Sequence, residues 1–574
     1  MTRTKRHYYR ISAPSLAFVT AACGGSESPP AISASVPVPM PSPTVTLTPS
    51  APTGFIGDAV TLSWASTNAT TCTASGGWTG PLATSGSQPV TLTAATNNFS
   101  ISCAGVSQTA TASTSVTATE KPFFREVPNA LPVATMLNGK ASASDVIAII
   151  DVNGDGKKDL AIHQTAPRYS SGSTGAEPTY NALHFYIQQA DGTFQDQTST
   201  YLIGTPDLGG DSRKVKVADI NADGKPDLLY AINQEDGRSL PDNTFANAQL
   251  AAVVSTSAGY VIRKMGKPNW YHSVGAGRDP SGRIFMTGNG FTGNNLDSFY
   301  LNAAGTVAST GLSLPQISAD AFEFYNDRLD SGFTDRLLEV KGGLNHLSVD
   351  GFTASASGAW SALPPFQFSP IIGTVQLIGF NGDGPFPDQV YNVNGFNMLA
   401  AFADTCVTRL SPNSSPIVLF GLGGAIIPNF TNGVTVKQND LVAYSTFVGA
   451  KIENGAIARV PFTITNEKTD VESFFFACRD INGDNFDDIV RYPINSDGKP
   501  NVYLNNKAGG FTYIGQTQFP SIGNTDGWGR SVSSIMDDLD GDGIEDLIIG
   551  AFYGISTSST TVQWHVYKGL KRLQ

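Results

Sequence analysis

Five short stretches set oxygen-bearing side chains at alternate residues around a tight turn. They read DVNGDGKKD from Asp151, DINADGKPD from Asp219, GFNGDGPFPD from Gly379, DINGDNFDD from Asp480 and DLDGDGIED from Asp538. In the first, Asp151, Asn153 and Asp155 offer side-chain oxygens at loop positions 1, 3 and 5. The carbonyl of Lys157 can point inward at position 7, and Asp159 closes the ring at position 9. Gly156 falls where the chain must turn sharply, a place for positive φ. The same set recurs as Asp219, Asn221, Asp223, Lys225 and Asp227, then as Asp480, Asn482, Asp484, Phe486 and Asp488, and as Asp538, Asp540, Asp542, Ile544 and Asp546. The Gly379 copy is thinner. It has no side chain at position 1, offers Asn381 and Asp383, and an extra residue pushes its last acid to Asp388.

An all-oxygen ring suits a hard divalent cation. Calcium takes six to eight oxygens at roughly 2.3–2.6 Å and tolerates irregular geometry, whereas magnesium demands a stricter octahedron. With no His or Cys in the ring, zinc and copper fit poorly. The competing reading is a set of acidic surface turns that bind nothing. Against it, three or four carboxylates within nine residues repel one another without a counter-ion. The expectation is four to five Ca²⁺ sites. Asn485 replaces the turn glycine in the Asp480 loop, which Asn tolerates best after Gly.

The elements around these loops are strands. Apolar runs follow them, as Leu160-Ala161-Ile162, Leu228-Leu229-Tyr230, Ile489-Val490 and Leu547-Ile548-Ile549, and Val146 to Ile150 precedes the first. An EF-hand would need a Glu at position 12 and flanking helices. The pattern D-x-[DN]-x-D-G-x-x-D-[LI] instead resembles the FG-GAP/VCBS repeats of integrin α-subunit β-propellers and their bacterial relatives. It is whole at Asp151, Asp219 and Asp538, with Trp528-Gly529 standing near the place of the Phe-Gly. Companion strands His184-Phe185-Tyr186-Ile187 and Asn501-Val502-Tyr503-Leu504 carry the same likeness. It implies an all-β propeller over 120–574. Worn copies at 275–283, 327–335 and 432–440 lack the ligand set. With them, first positions fall at 151, 219, 275, 327, 379, 432, 480 and 538, spaced by 48 to 68 residues. That spacing suits four-stranded blades and predicts eight of them, with seven as the alternative. The chain stops one strand short of a last blade, and Pro122–Val127 can supply it, which would close the ring.

Upstream, residues 1–23 read as a targeting segment. Arg3, Lys5, Arg6 and Arg10 precede a short apolar stretch and Thr20-Ala21-Ala22-Cys23. This resembles a bacterial lipoprotein signal, which implies lipidation of Cys23 and a place at the outer membrane or cell surface. A cleaved signal, giving a secreted or periplasmic chain, is the alternative. Residues 24–43 are a Pro/Ser-rich linker. Residues 44–119 alternate as a small β-sandwich, and Trp64, Ser66, Asn68, Ala69 and Cys72 resemble the opening of bacterial Ig-like domains. Cys72 and Cys103 are expected to pair there. Cys406 and Cys478 remain, and an even remainder in an exported chain favours a bond.

The net charge of −12 argues against nucleic acid. Four bound Ca²⁺ would reduce it to −4, so the acidity reads as metal-site charge. No H-E-x-x-H, G-x-S-x-G or P-loop occurs. His163 and His184 read as packing residues, Trp270-Tyr271-His272 and Trp528 as blade core. The resemblance therefore implies a non-enzymatic, calcium-stabilised surface module for adhesion or for binding an extracellular protein or glycan. It would be a monomer that meets the membrane only through its lipid. An exported polysaccharide hydrolase or lyase is the alternative.

Overall fold

The computed structural model describes residues 41–574 apart from 133–145, 166–180, 234–248, 267–270, 291–297, 303–305, 311–320, 330–331, 343–346, 369–389, 393–397, 427–434, 438–441, 468–474, 493–498, 521–532 and 554–560. Cys23, the ligands Asn381, Asp383 and Asp388, Trp270 and Trp528 lie outside the described residues. Two compact units divide the chain, Met1–Glu120 and Lys121–Gln574. Both are built of strands; one four-residue helix, Thr198–Tyr201, is the exception among the described residues. No helix there is long and apolar enough to cross a membrane.

The first unit has a three-stranded and a five-stranded sheet. Val60, Leu62 and Trp64 alternate with exposed residues along Ala59–Thr67, and all three enter a core that also takes Phe99 and Ile101. Trp64 meets Trp78 edge-on and donates from Nε1 to the Ala83 carbonyl at 2.9 Å. Cys72 and Cys103 are bonded, and they face each other directly on adjacent antiparallel strands. The bridge thus stays within one sheet, where the disulfide of antibody domains joins two.

In the second unit seven sheets of four or five strands follow one another among the described residues. Counted from one edge of each sheet, their first strands are Ile147–Ile150, Asp211–Ala218, Tyr271–Arg278, Ala321–Tyr325, Met398–Thr408, Phe475–Arg479 and Ser533–Asp537. Sequence alternation explains how they stack. Along the second strand of the first sheet, Leu160 and Ile162 pack with Ile548 and Val566 of the seventh, while Ala161 packs with Leu228 and Tyr230 of the second. Leu229 and Ala231 point the other way, to Val274 and Met286 of the third. Each sheet is therefore apolar on both faces, and the successive cores form a closed cycle. Phe124–Val127 pairs with Thr561–Gly569 and completes the seventh sheet, so the two ends of the unit share one sheet.

The cassette ruler holds at the first, second, fourth, sixth and seventh sheets, whose first turns carry 151, 219, 327, 480 and 538. In the third sheet the turn lies at Asp279–Arg283, a few residues beyond 275. The fifth sheet turns first at 409–416, through Ser and Pro, which an acidic template does not find. Position 379 lies outside the described residues, and the 432 cassette falls on a two-stranded pair, Val390–Asn392 with Thr435–Lys437. Cys406 and Cys478 are bonded and join the first strands of the fifth and sixth sheets. Two disulfides suggest an exported protein.

Charged side chains also cross the cycle. Lys214, on the second sheet, reaches Asp404 of the fifth at 2.5 Å, and Lys216 pairs with Glu323 of the fourth. Thr405 donates to Glu323 at 3.1 Å, and the Phe476 amide to Asp404 at 3.3 Å. Burial opposes the charge on Lys214, but Asp404 and Glu323 outweigh it and raise its pKa. Outer strands carry a second kind of pair. His184 meets Asp196, and His565 meets Glu126, each at 2.8 Å between the third and fourth strands of its sheet.

Three outcomes follow from this architecture. Asp404→Ala takes away the direct partner of the largely buried Lys214, leaving only Glu323 nearby, and should cost up to about 3–5 kcal/mol in urea unfolding. Asp404→Leu with Lys214→Met should recover most of it; equal losses would rule out a buried pair. Ala222 stands at φ 59°. Ala222→Gly should therefore raise stability by about 0.5–1 kcal/mol, since left-handed strain outweighs the entropy of glycine. Burial pushes Asp196 up, but bonds from His184 and Thr198 bring it down to about 2. A depressed carboxylate stabilises above its unfolded value of roughly 3.9 and loses that as pH falls through about 2. Asp196→Asn should flatten stability between those pH values relative to the parent chain.

Candidate metal centre

Four of the acidic loops join the first and second strands of the first, second, sixth and seventh sheets. Their backbones match. Positions 4 and 6 both have left-handed φ, as Gly154 and Gly156, Ala222 and Gly224, Gly483 and Asn485, and Gly541 and Gly543. Only the second of these was expected from the sequence. The double left-handed turn points successive N–H groups inward, and the side chains at positions 1, 3 and 5 accept them.

The hydrogen bonds repeat from loop to loop. Oδ2 of the position 1 aspartate accepts the N–H of position 6 at 2.9, 3.0, 2.7 and 2.8 Å for Asp151, Asp219, Asp480 and Asp538. Oδ1 of the position 3 residue, Asn153, Asn221, Asn482 or Asp540, accepts the N–H of position 5, from Asp155, Asp223, Asp484 and Asp542. Oδ1 at position 5 accepts the N–H of position 7, so that Asp155, Asp223, Asp484 and Asp542 bind the amides of Lys157, Lys225, Phe486 and Ile544 at 2.8 to 3.0 Å. One oxygen of each position 5 carboxylate thus holds the turn, while Oδ2 meets a side chain: Asn153 at Asp155, Asn221 and Ser255 at Asp223, Lys507 at Asp484 and Lys568 at Asp542. In the last loop, carboxylate oxygens of Asp538, Asp540 and Asp542 come within 4.8 Å of one another. That oxygen set fits a hard cation of calcium's size and offers nothing to a soft metal.

Position 9 plays a further part. Asp159, Asp227, Asp488 and Asp546 are buried, as is Asn221 in the second set. Oδ2 of each accepts the N–H of position 2, from Val152, Ile220, Ile481 and Leu539. Oδ1 accepts an N–H at the end of the third strand, from Gln188, Ser255, Asn505 and Gly569, at 2.9, 2.6, 2.7 and 2.7 Å. Each therefore pins its hairpin turn to a strand 17 to 29 residues further on, and Asp227 also accepts the Asn221 N–H and the Ser255 hydroxyl. Burial raises all four pKa values and takes Asp488 and Asp546 to about 7, with the loop's own acids adding to the rise. A cation in the loop would act in the opposite sense.

Basic side chains near these loops were missed in the sequence. Lys568 bonds Asp540 and lies 3.2 Å from Asp542 Oδ2. Lys507 lies 3.1 Å from Asp484 Oδ2. Among the described residues no such partner meets the acids of the Asp151 and Asp219 loops; there Ser255 donates to Asp223 at 2.9 Å. In the worn third-sheet loop, Asp279 takes Ser281, Tyr300 and Arg283, while in the fourth Arg336 pairs with Asp327. The alternating Arg213-Lys214-Val215-Lys216-Val217 was the one signal for the charges across the cycle.

No curated protein matches the sequence. Among solved structures, an exotype rhamnogalacturonan lyase aligns at TM-score 0.37 and 12% identity, covering 89% of this chain and 88% of its own. A rhamnogalacturonan lyase from Bacillus licheniformis aligns at 0.26 and 11%, covering 92% and 89%. A quinonprotein alcohol dehydrogenase-like protein from Bacteroides thetaiotaomicron aligns at 0.29 and 11%, covering 81% and 94%. Likenesses this weak carry nothing about activity. The family model of the FG-GAP-like repeat matches residues 151–230 and 480–570, which hold all four complete loops.

Proposed function

We propose that the second unit is a seven-bladed, calcium-stabilised β-propeller that binds an extracellular protein or glycan and catalyses no reaction. One observation supports the metal: four loops share a single hydrogen-bond pattern in which the backbone turn uses one oxygen of each position 5 acid and leaves the other to side chains that an ion could displace. The first unit is then an Ig-like spacer, and a lipid on Cys23 would hold the chain at the bacterial surface. The hydrolase or lyase reading has one observation behind it. Asp404 and Glu323 converge across the cycle, away from the loops. Each is held by a lysine, which suits a strut better than a general acid or base.

Extracellular calcium modules bind at about 0.1–1 mM. At tenfold excess each site would add about 1.4 kcal/mol, and four roughly 5–6. EGTA should therefore lower the melting temperature markedly, and an unchanged melting curve would sink the calcium reading. Asp538→Ala should reduce the calcium-dependent part most among position 1 variants, because its loop holds four ligand carboxylates.

A further inference from the structure

The oxygens of Asp540 and Asp542 that the turn leaves free are the ones Lys568 holds. Both contacts are to Oδ2, while Oδ1 of each accepts a loop amide. Lys568 arrives from a fixed backbone. It faces Arg125 in the strand pair that closes the unit, and the next residue, Gly569, donates to the buried Asp546 at 2.7 Å. Its side chain is about a third exposed, so it can swing out without unpacking a core.

We propose that Lys568 is a tethered competitor for the metal. It occupies the Asp538 loop when calcium is absent, and it sets that loop's affinity by having to leave when calcium enters. The inference rests on the calcium reading and adds the regulation of one site. An ammonium and a Ca²⁺ ion cannot share the same two carboxylate oxygens, because each needs the negative charge the other neutralises. The remaining loops form a series around this case. The Asp151 and Asp219 loops have no basic partner among the described residues. Lys507 touches one acid of the Asp480 loop. The worn loops have given their carboxylates to Arg283 and Arg336. The seventh-sheet loop stands between, with a full acid set and a protein cation on it.

The test is a calorimetric titration of the full chain with calcium chloride, for the parent, Lys568→Met and Lys568→Arg. Removing a partly exposed ion pair should tighten one site by roughly three- to fivefold, leaving the others unchanged. Lys568→Arg should behave as the parent. In an Asp538→Ala background, Lys568→Met should make no difference. In EGTA, Lys568→Met should melt below the parent, and saturating calcium should close that gap. Calcium binding with equal affinity in parent and Lys568→Met overturns the competitor role alone. No calcium binding in any variant overturns the calcium reading and this inference with it.

Discussion

A buried carboxylate with two backbone donors is the interaction on which the acidic loops depend. At Asp159, Asp227, Asp488 and Asp546 it ties the turn between the first two strands to the end of the third. Burying a carboxylate is costly unless it is hydrogen-bonded, and the raised pKa values record the cost. Two N–H bonds offset part of it. The exposed acids around positions 1, 3 and 5 add repulsion that those bonds do not answer. A divalent ion would answer both, so the same geometry that fixes the sheet creates the demand for a cation.

That demand explains why the loops are spread as they are. Each sheet of the second unit is apolar on both faces, so nothing charged can be placed between sheets without a partner. The acids collect at the hairpin ends, where water and ions reach them. Across the cycle charge is met by pairing, as Lys214 with Asp404 and Lys216 with Glu323. Such pairs hold position more than they add stability, because desolvation consumes much of the Coulombic gain.

How much of this could be read from the chain followed the range of each interaction. Local features were legible: the strand after each loop, the turn at Gly156, the tolerance of Asn485, and the apolar runs buried on two sides. The closing strand at Phe124–Val127 was legible too, because a missing edge strand must be found somewhere. Features joining distant residues were not, unless a pair of thiols or a missing edge strand marked them. The partner of Asp159 is an amide of Gln188, and an amide leaves no mark in a side-chain pattern. Lys214 and Asp404 are 190 residues apart. The fifth sheet escaped because its first turn is built from Ser and Pro, which a template made of acids does not find.

The worn loops show what the acids require once the metal set is gone. Asp279 keeps its carboxylate low, to about 2, though burial works against it, because Ser281, Tyr300 and Arg283 all donate to it. Arg336 holds Asp327 with a bidentate grip. A guanidinium is always charged and stays in place, so these turns are neutralised under all conditions. A loop that relies on a dissolved ion is neutralised only when the ion is present. The difference makes the loops unequal. The third and fourth sheets are stapled permanently, whereas the first, second, sixth and seventh would respond to the medium on the proposed calcium reading. Those four are consecutive around the cycle and include the sheet where its two ends meet, so any loosening on loss of calcium would begin at the seam.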